Sequence, residues 1–318
     1  MNFCIFIFTL NSSTVTHLWL EAFAIQSFYK ACCLAIDSSS NDDTPYLLKA
    51  AGFRLHTIPR HEFDHGATRH LAVKLCPDSD VDIFMTQDSI LADSLSLQRL
   101  VAAFADPQVG VAYGRQLPAD NATPIAAHAR TFNYPPINSL KSSVDIQPLG
   151  IKTAFVSNSF AAYRRSALED VGGFPDRCIV SEDTFVAAKM ILAGWKVAYC
   201  ADAQVYHSHN YTWRQEFQRY FDIGVFHARE PWVRREFGGA EGEGVRFLKS
   251  ELKYLLREAP HLIPSALVRT VIKYLGFRAG LAERYLPVKL KSRLSMQKAF
   301  WLQESLWGDN AARAGEAG

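Results

Sequence analysis

Along the first third of this chain, short apolar runs end in polar or acidic residues and are followed by helix-compatible stretches. Residues 3–8 form a β-rich run ending at Thr9-Leu10-Asn11. Residues 32–36 form a second, ending at Asp37-Ser38-Ser39-Ser40-Asn41-Asp42-Asp43-Thr44. Residues 54–58 read as a third strand, and residues 82–85 as a fourth, closed by Thr86-Gln87-Asp88. Helical patterns fill the intervals at 15–29, 45–51 and 67–75, with a polar loop at 61–66. Strands alternating with helices predict an α/β fold with a Rossmann-like, mostly parallel sheet flanked by helices. In such sheets ligands sit beyond the carboxyl ends of the strands. Asn11, Asp37 and Asp88 all fall there, and that coincidence outweighs any one of them.

The pattern continues less regularly. Residues 95–104 read as a helix and 109–113 as a strand, and 118–150 as a long polar excursion over the site. Residues 155–163 read as a strand containing Ser157-Asn158-Ser159, and 185–193 as a helix stopped by Gly194. Two short strands, 197–199 and 204–206, flank Ala201-Asp202. No internal repeat is visible.

Charge divides the chain. Residues 1–244 hold 21 Lys/Arg and 26 Asp/Glu, whereas residues 245–300 hold 12 Lys/Arg and 3 Asp/Glu. A basic helical extension over 236–318 therefore follows a mildly acidic body at 1–235, and its expected partner is anionic. Within it, Leu267, Val268, Val271, Ile272 and Leu275 form one stripe at helical spacing, with Arg269, Lys273 and Arg278 around it. That pattern suits an interfacial amphipathic helix on anionic lipid, or a helix packed on the body with a solvated basic face. No run reaches the ~18–20 apolar residues needed to span a bilayer. The apolar residues 1–10 lack a basic leader and a small-residue cleavage site, so they read as a strand. The six cysteines form no C-x-x-C pair and read as small core residues in a reducing compartment. Three N-x-S/T matches, at Asn11, Asn121 and Asn210, carry no weight without a secretory context.

Two acids stand out chemically. Asp88 closes a buried strand, where a carboxylate can hold a divalent ion against phosphate oxygens. Asp183, in Ser181-Glu182-Asp183, opens a helix, where it can serve as general base beside Glu182. The plain alternative is that both acids of the helix start favour its dipole. His207 and His209, at i and i+2 after a strand, share one face and are candidates to complete the metal site. Asp37 with its serines suits a base and ribose, or simply a helix cap. Arg219, with Gln218 and Arg214 nearby, can stabilise a leaving diphosphate, or be a solvated helix face.

Taken together these runs resemble the bacterial family 2 glycosyltransferases, in their rhamnosyltransferase-like branch. The matching motifs include Thr9-Leu10-Asn11, Ile36-Asp37-Ser38-Ser39-Ser40-Asn41-Asp42, Phe63-Asp64-His65-Gly66-Ala67-Thr68-Arg69 and Met85-Thr86-Gln87-Asp88-Ser89. They continue through Tyr113-Gly114-Arg115-Gln116, Val171-Gly172-Gly173-Phe174, Ser181-Glu182-Asp183, Tyr206-His207-Ser208-His209-Asn210-Tyr211 and Arg219-Tyr220-Phe221-Asp222-Ile223-Gly224. The resemblance implies a GT-A fold, a nucleotide-sugar donor (dTDP-L-rhamnose for this branch), inversion at the anomeric carbon and Mg²⁺ or Mn²⁺ as cofactor. It implies Asp183 as catalytic base beside Glu182, and a donor site from Thr9, Asn11, Asp37, Ser39, Arg69, Gln87, Arg115 and Arg219. Metal would rest on Asp88, the second acid of the family's Asp-x-Asp motif. Thr86 replaces the first acid, so the ion leans on His207 or His209. The expected acceptor is a polysaccharide or lipid-linked glycan hydroxyl, the expected place the cytoplasmic face of the plasma membrane, and no nucleic-acid partner is expected.

Two other readings are weighed. A sugar nucleotidyltransferase would need a Gly-rich basic loop after the first strand, but residues 9–20 contain no Gly, Lys or Arg. A catalytically impaired nucleotide-sugar-binding or scaffold protein of the same fold is favoured by the unusual first strand and helix and opposed by Asp88, Glu182 and Asp183.

Overall fold

The structure is a computed structural model that describes residues 1–27, 31–239 and 242–304. In chain order the elements are β1 Phe3–Thr9, α1 Ser13–Ala24, β2 Ala31–Asp37, α2 Thr44–Ala50, β3 Arg54–Thr57, α3 His65–Leu75, β4 Val81–Thr86, β5 Ile90–Leu91 and α4 Ser96–Ala102. There follow β6 Val109–Leu117, α5 Pro124–Asn133, β7 Ser139–Lys141, α6 Ile146–Leu149, β8 Phe160–Arg164, α7 Arg165–Asp170, α8 Glu182–Leu192 and β9 Lys196–Tyr206. The C-terminal helices are α9 Trp213–Arg229, α10 Pro231–Phe237, α11 Glu243–Glu258, α12 Ile263–Leu281 and α13 Val288–Leu294.

The described strands form one sheet in the order β3-β2-β1-β4-β8-β6-β9-β5, with β7 also paired to β9. β3, β2, β1 and β4 run parallel, as do β6 and β9, while β8 lies antiparallel between β4 and β6. Successive residues of β1 serve opposite faces. Phe6 and Phe8 join Phe84, Tyr163 and Phe174 under α3 and α8. Ile5 and Ile7 join Ile83, Met85 and Trp19 on the other face, under α1, α2 and α4. Burial on both faces explains why these strands read as unbroken apolar runs. Phe84 packs edge-on against both Tyr163 and Phe174, and truncating it to Ala would cost about 3–5 kcal/mol.

Several sequence expectations need correction. Residues 118–150 are not one irregular excursion: they hold α5, β7 and α6. The Thr123 hydroxyl accepts from the Ala126 N–H and Pro124 occupies the first helical turn of α5, a start suited to proline. The two strands expected around Ala201-Asp202 are one, β9, which absorbs the interruption as a register shift opposite Gly114 and Arg115. The first helix ends at Ala24, and the rest of its expected span, to residue 29, runs partly outside the described residues.

The basic extension packs on the body. α12 crosses α9 through glycines: a Cβ on Gly276 would meet the Phe217 carbonyl oxygen at 2.5 Å, and one on Gly280 the Phe221 oxygen at 2.1 Å. Only backbone without side chains allows that approach. Arg269 and Lys273 turn inward onto Glu216, at 3.0 and 3.7 Å. Leu267, Val268, Val271 and Leu275 are left exposed. The stripe was expected to carry its cations alongside; instead two of them are drawn away by one acid. Trp301 is fully buried against Phe221, and Phe300 joins it in a cluster with Cys178, Ile179 and Val180. No helix of the described residues is long and apolar enough to cross a membrane.

Candidate active site

At the carboxyl end of the parallel strands, β1 and β2 bring Thr9 opposite Asp37. The Thr9 hydroxyl donates to Asp37 Oδ1 at 2.9 Å, and Ser40 donates through its hydroxyl and its backbone N–H at 2.6 and 2.8 Å. Asp37 is almost wholly buried yet keeps acceptor capacity, since a carboxylate has about four lone-pair directions. Asn11 and Ser39 adopt left-handed backbone, φ 46° and 57°. Asn11 can hold that strained conformation because its side-chain oxygen accepts from the Asn41 N–H at 2.8 Å and from Arg60 at 3.2 Å. Arg60 also donates to the Ser39 carbonyl at 3.1 Å, which sets an exposed guanidinium at the mouth of this pocket. Gln87 accepts from the Leu10 N–H at 2.8 Å and so ties the end of β4 to the end of β1.

Asp88, His207 and His209 converge. Their ligand atoms all lie within 4.8 Å of one another. His207 Nε2 and His209 Nε2 stand 3.4 and 3.9 Å from Asp88 Oδ2. Burial alone would raise the Asp88 carboxyl, but the His207 hydrogen bond and charge, with Thr86 and His209, hold it below the usual carboxylate range. The His209 imidazole is pushed down to about 4, first by burial and then by the neighbouring His207. A metal takes imidazoles in their neutral form and an ionised carboxylate, so an ion bound here would replace the His207 charge that holds Asp88 down in its absence. The arrangement fits a divalent cation, and two imidazoles beside one carboxylate suit Mn²⁺ better than Mg²⁺, which prefers all-oxygen surroundings.

Gln116 stands behind this group. Its side-chain oxygen lies 2.9 Å from His207 Nδ1 and also takes the guanidinium of Arg130, while its amide donates to the Ser157 hydroxyl at 2.9 Å. Accepting from Nδ1–H fixes the tautomer that leaves Nε2 free to face Asp88.

Next to Ser157 lies Asn158, which contacts Glu182 and Asp183 at the start of α8; the φ of Ser181, 66°, is left-handed. Glu182 and Asp183 diverge from there. Glu182 is buried and meets Arg69 at 3.1 Å, with Asn158 donating to it at 2.9 Å. Although burial would raise it, the Arg69 charge, then His65 and the Asn158 bond, draw the Glu182 carboxyl down. Asp183 remains partly exposed and accepts from the Asn158 and Thr184 N–H groups at 3.2 and 2.7 Å. Burial, followed by the charge of Glu182, raises Asp183 to about 6.

Arg69, expected at the donor, is only 4% exposed, and its guanidinium is occupied by Glu182 and the His65 carbonyl. Arg115 donates to the Tyr134 carbonyl at 3.1 Å. Arg219 lines a cleft of about 190 Å³ together with Arg130, His209, Tyr211, Arg269 and Lys273. Sequence reasoning missed Asn158, Arg130 and Arg60, and named Gln116 only within its motif. The polar triplet Ser157-Asn158-Ser159 inside an apolar run was a visible sign of the first. Arg130 and Arg60 lay in stretches with no such contrast.

Comparison with known proteins agrees with this geometry. The sequence profile described as "Glycosyl transferase family group 2" matches residues 83–221. The chain is 50% identical over 302 residues to the O-antigen chain rhamnosyltransferase RfbN of Salmonella typhimurium, covering 95% of this chain and 96% of that protein. It is 48% identical over 301 residues to the O-antigen chain rhamnosyltransferase WbaN of Salmonella anatum, covering 94% and 96%. Among solved structures it is similar to the mannosyltransferase PcManGT of Pyrobaculum calidifontis in complex with GDP-Man and Mn²⁺, with TM-score 0.55, 17% identity, and 96% and 86% of the two chains covered. It is also similar to S. aureus TarS 1–349, with TM-score 0.54, 15% identity, and 89% and 91% covered. The fold is thus of the GT-A type, as the family resemblance implied. On the strength of identity along nearly its whole length, the chain belongs to the family 2 glycosyltransferases.

Proposed function

We propose that the chain is an inverting rhamnosyltransferase that moves L-rhamnose from dTDP-L-rhamnose to a hydroxyl of a growing, lipid-linked glycan. The observation that carries the reading is the convergence of Asp88 with two imidazoles, linked through His207, Gln116, Ser157 and Asn158 to Asp183, whose carboxyl burial and Glu182 push up. The names of the two Salmonella relatives support the sugar. Thr9, Asn11, Asp37, Ser39 and Arg60 surround the nucleoside end, with Gln87 bracing it. Asp88, His207 and His209 would hold Mn²⁺, which when bound supplies positive charge against the donor diphosphate.

Asp183 accepts the proton of the acceptor hydroxyl. The freed oxygen forms its bond to the anomeric carbon as the bond from that carbon to the diphosphate oxygen breaks, and the electron pair leaves with dTDP. Attack from the opposite side inverts the centre. Arg130 and Arg219 face the charge that grows on the leaving group. Glu182 stays on Arg69 and raises the proton affinity of Asp183 without touching the acceptor.

In this reading residues 1–235 form the transferase domain and 236–318 an extension. The exposed face of α12 would rest on the cytoplasmic surface of the plasma membrane, where a lipid-linked acceptor is found. The direct test is release of dTDP from dTDP-L-rhamnose, with and without Mn²⁺, in the wild type and Asp88→Ala. Mn²⁺-dependent turnover that Asp88→Ala abolishes is expected. Preference for a UDP or GDP donor would overturn the donor assignment.

A further inference from the structure

Far from the cleft, three cysteines that no sequence spacing links are brought together. Cys4 lies near the start of β1, Cys32 at the start of β2 and Cys76 at the end of α3, and their sulfurs all lie within 4.8 Å of one another. Cys4 precedes Thr9 by five positions on the same strand, which at ~3.3 Å per residue sets the cluster about 16 Å from the catalytic edge. We propose that Cys4, Cys32 and Cys76 form a three-thiolate site for a thiophilic d¹⁰ cation such as Zn²⁺ or Cd²⁺.

The geometry favours coordination. Cys32 Sγ and Cys76 Sγ are 3.7 Å apart. Zn–S bonds of about 2.3 Å in a tetrahedral arrangement place sulfurs roughly 3.8 Å apart. A disulfide would need them at about 2.05 Å. Such a pair is therefore already at ligand spacing.

The frame is fixed before any ion arrives. Cys4 and Cys32 are register partners of a parallel ladder. The Cys76 carbonyl accepts from Arg165 at 2.8 Å and from the Ser79 hydroxyl at 3.2 Å. Arg165 is in turn held by both oxygens of the fully buried Asp82, each at 2.7 Å. Ligands locked by surrounding bonds lose little entropy on binding. Cys33, next along β2, points to the opposite face and packs with Ile5 and Ile7, so it stays outside the set.

Access is also graded. Cys4 is fully buried, Cys76 nearly so, and Cys32 exposed. The cluster has a closed floor and an open mouth, leaving a fourth ligand position to solvent. Burial pushes the Cys4 and Cys76 thiols up, so the ion must displace their protons. The Arg54 guanidinium, 4.0 Å from Cys76 Sγ, favours the thiolate that results.

The test is titration of the reduced full-length protein with Cd²⁺, followed by the ultraviolet sulfur-to-metal charge-transfer band. The band should saturate at one sulfur-bound Cd²⁺ per chain, and Cd²⁺ should displace Zn²⁺ added first; an ion at Asp88, His207 and His209 gives no sulfur band. Cys32→Ser, an exposed position whose folding is checked by circular dichroism, should lose the band or weaken binding at least about tenfold, by analogy with the loss of a supporting group. Asp88→Ala and Cys178→Ser should retain it, which separates this site from the catalytic cleft and from a buried thiol elsewhere. Absence of the band at excess Cd²⁺, or a band undiminished in Cys32→Ser, overturns the proposal. So does a Cys32–Cys76 disulfide, mapped by mass spectrometry, in protein that binds no Cd²⁺ once reduced.

Discussion

Asp88 and Asp183 are the same side chain at the two ends of one run of contacts through His207, Gln116, Ser157 and Asn158, and their surroundings push them in opposite directions. At the β4 end, two imidazoles outweigh burial and keep Asp88 ionised. At the α8 end, burial and a second carboxylate raise Asp183, even though the start of a helix ordinarily favours the charged form. Glu182, one residue earlier, goes the other way because Arg69 reaches it. The lesson is that protonation follows the neighbouring charge rather than the residue type, and in the proposed reading that difference suits one acid to a cation and the other to a proton.

The comparison is broken most severely at the base. Asp183→Asn should lower kcat by ~10²–10⁴-fold while nucleotide binding persists. Full transfer by a folded Asp183→Asn protein would sink the assignment. Next comes the counter-charge. Arg69→Met strands a buried carboxylate and should cost about 3–5 kcal/mol of stability in urea unfolding. A loss below 1 kcal/mol, within the ordinary range for surface ion pairs, would mean Glu182 is better solvated than its burial indicates. Toward the opposite end, Gln116→Leu removes the acceptor that orients His207 and should weaken Mn²⁺ by about 10–100-fold. Its pH midpoint should stay where the wild type has it, since Asp183 is untouched.

The finest test is pH itself. A base must be unprotonated to act, so transfer should rise with pH through about 6 and level off above. Below that midpoint the rate should fall about tenfold per unit. Glu182→Gln removes the charge that lifts Asp183, so its midpoint should move to lower pH. A midpoint that rose would show that Glu182 acts on Asp183 by some route other than charge.

The positions of Asp37 and Asp88 were legible in the sequence because apolar runs stopped at or just before them, and that of Asp183 because a helical pattern began there. The inward turn of Arg69 was not, because a motif gives spacing without direction. Nor was the seat of Arg269 and Lys273. Their periodicity placed them beside an apolar stripe, but Glu216, fifty-three residues before Arg269, decides which way they face. The α5 helix was hidden by surrounding prolines, though Thr123-Pro124 is itself a good helix start. The cysteine cluster depends on strand order, which residue spacing does not encode.

The glycine seam between α9 and α12 has a further consequence. At these glycines the two backbones meet with no side chain between them. α9 carries Arg219 toward the cleft, and α12 carries the exposed apolar stripe outward. Should that stripe rest on a bilayer, the height of Arg219 above the lipid would be set by this seam. The enzyme would then behave as a depth gauge, selecting acceptors by how far their reactive hydroxyl stands from the membrane as well as by which sugar bears it.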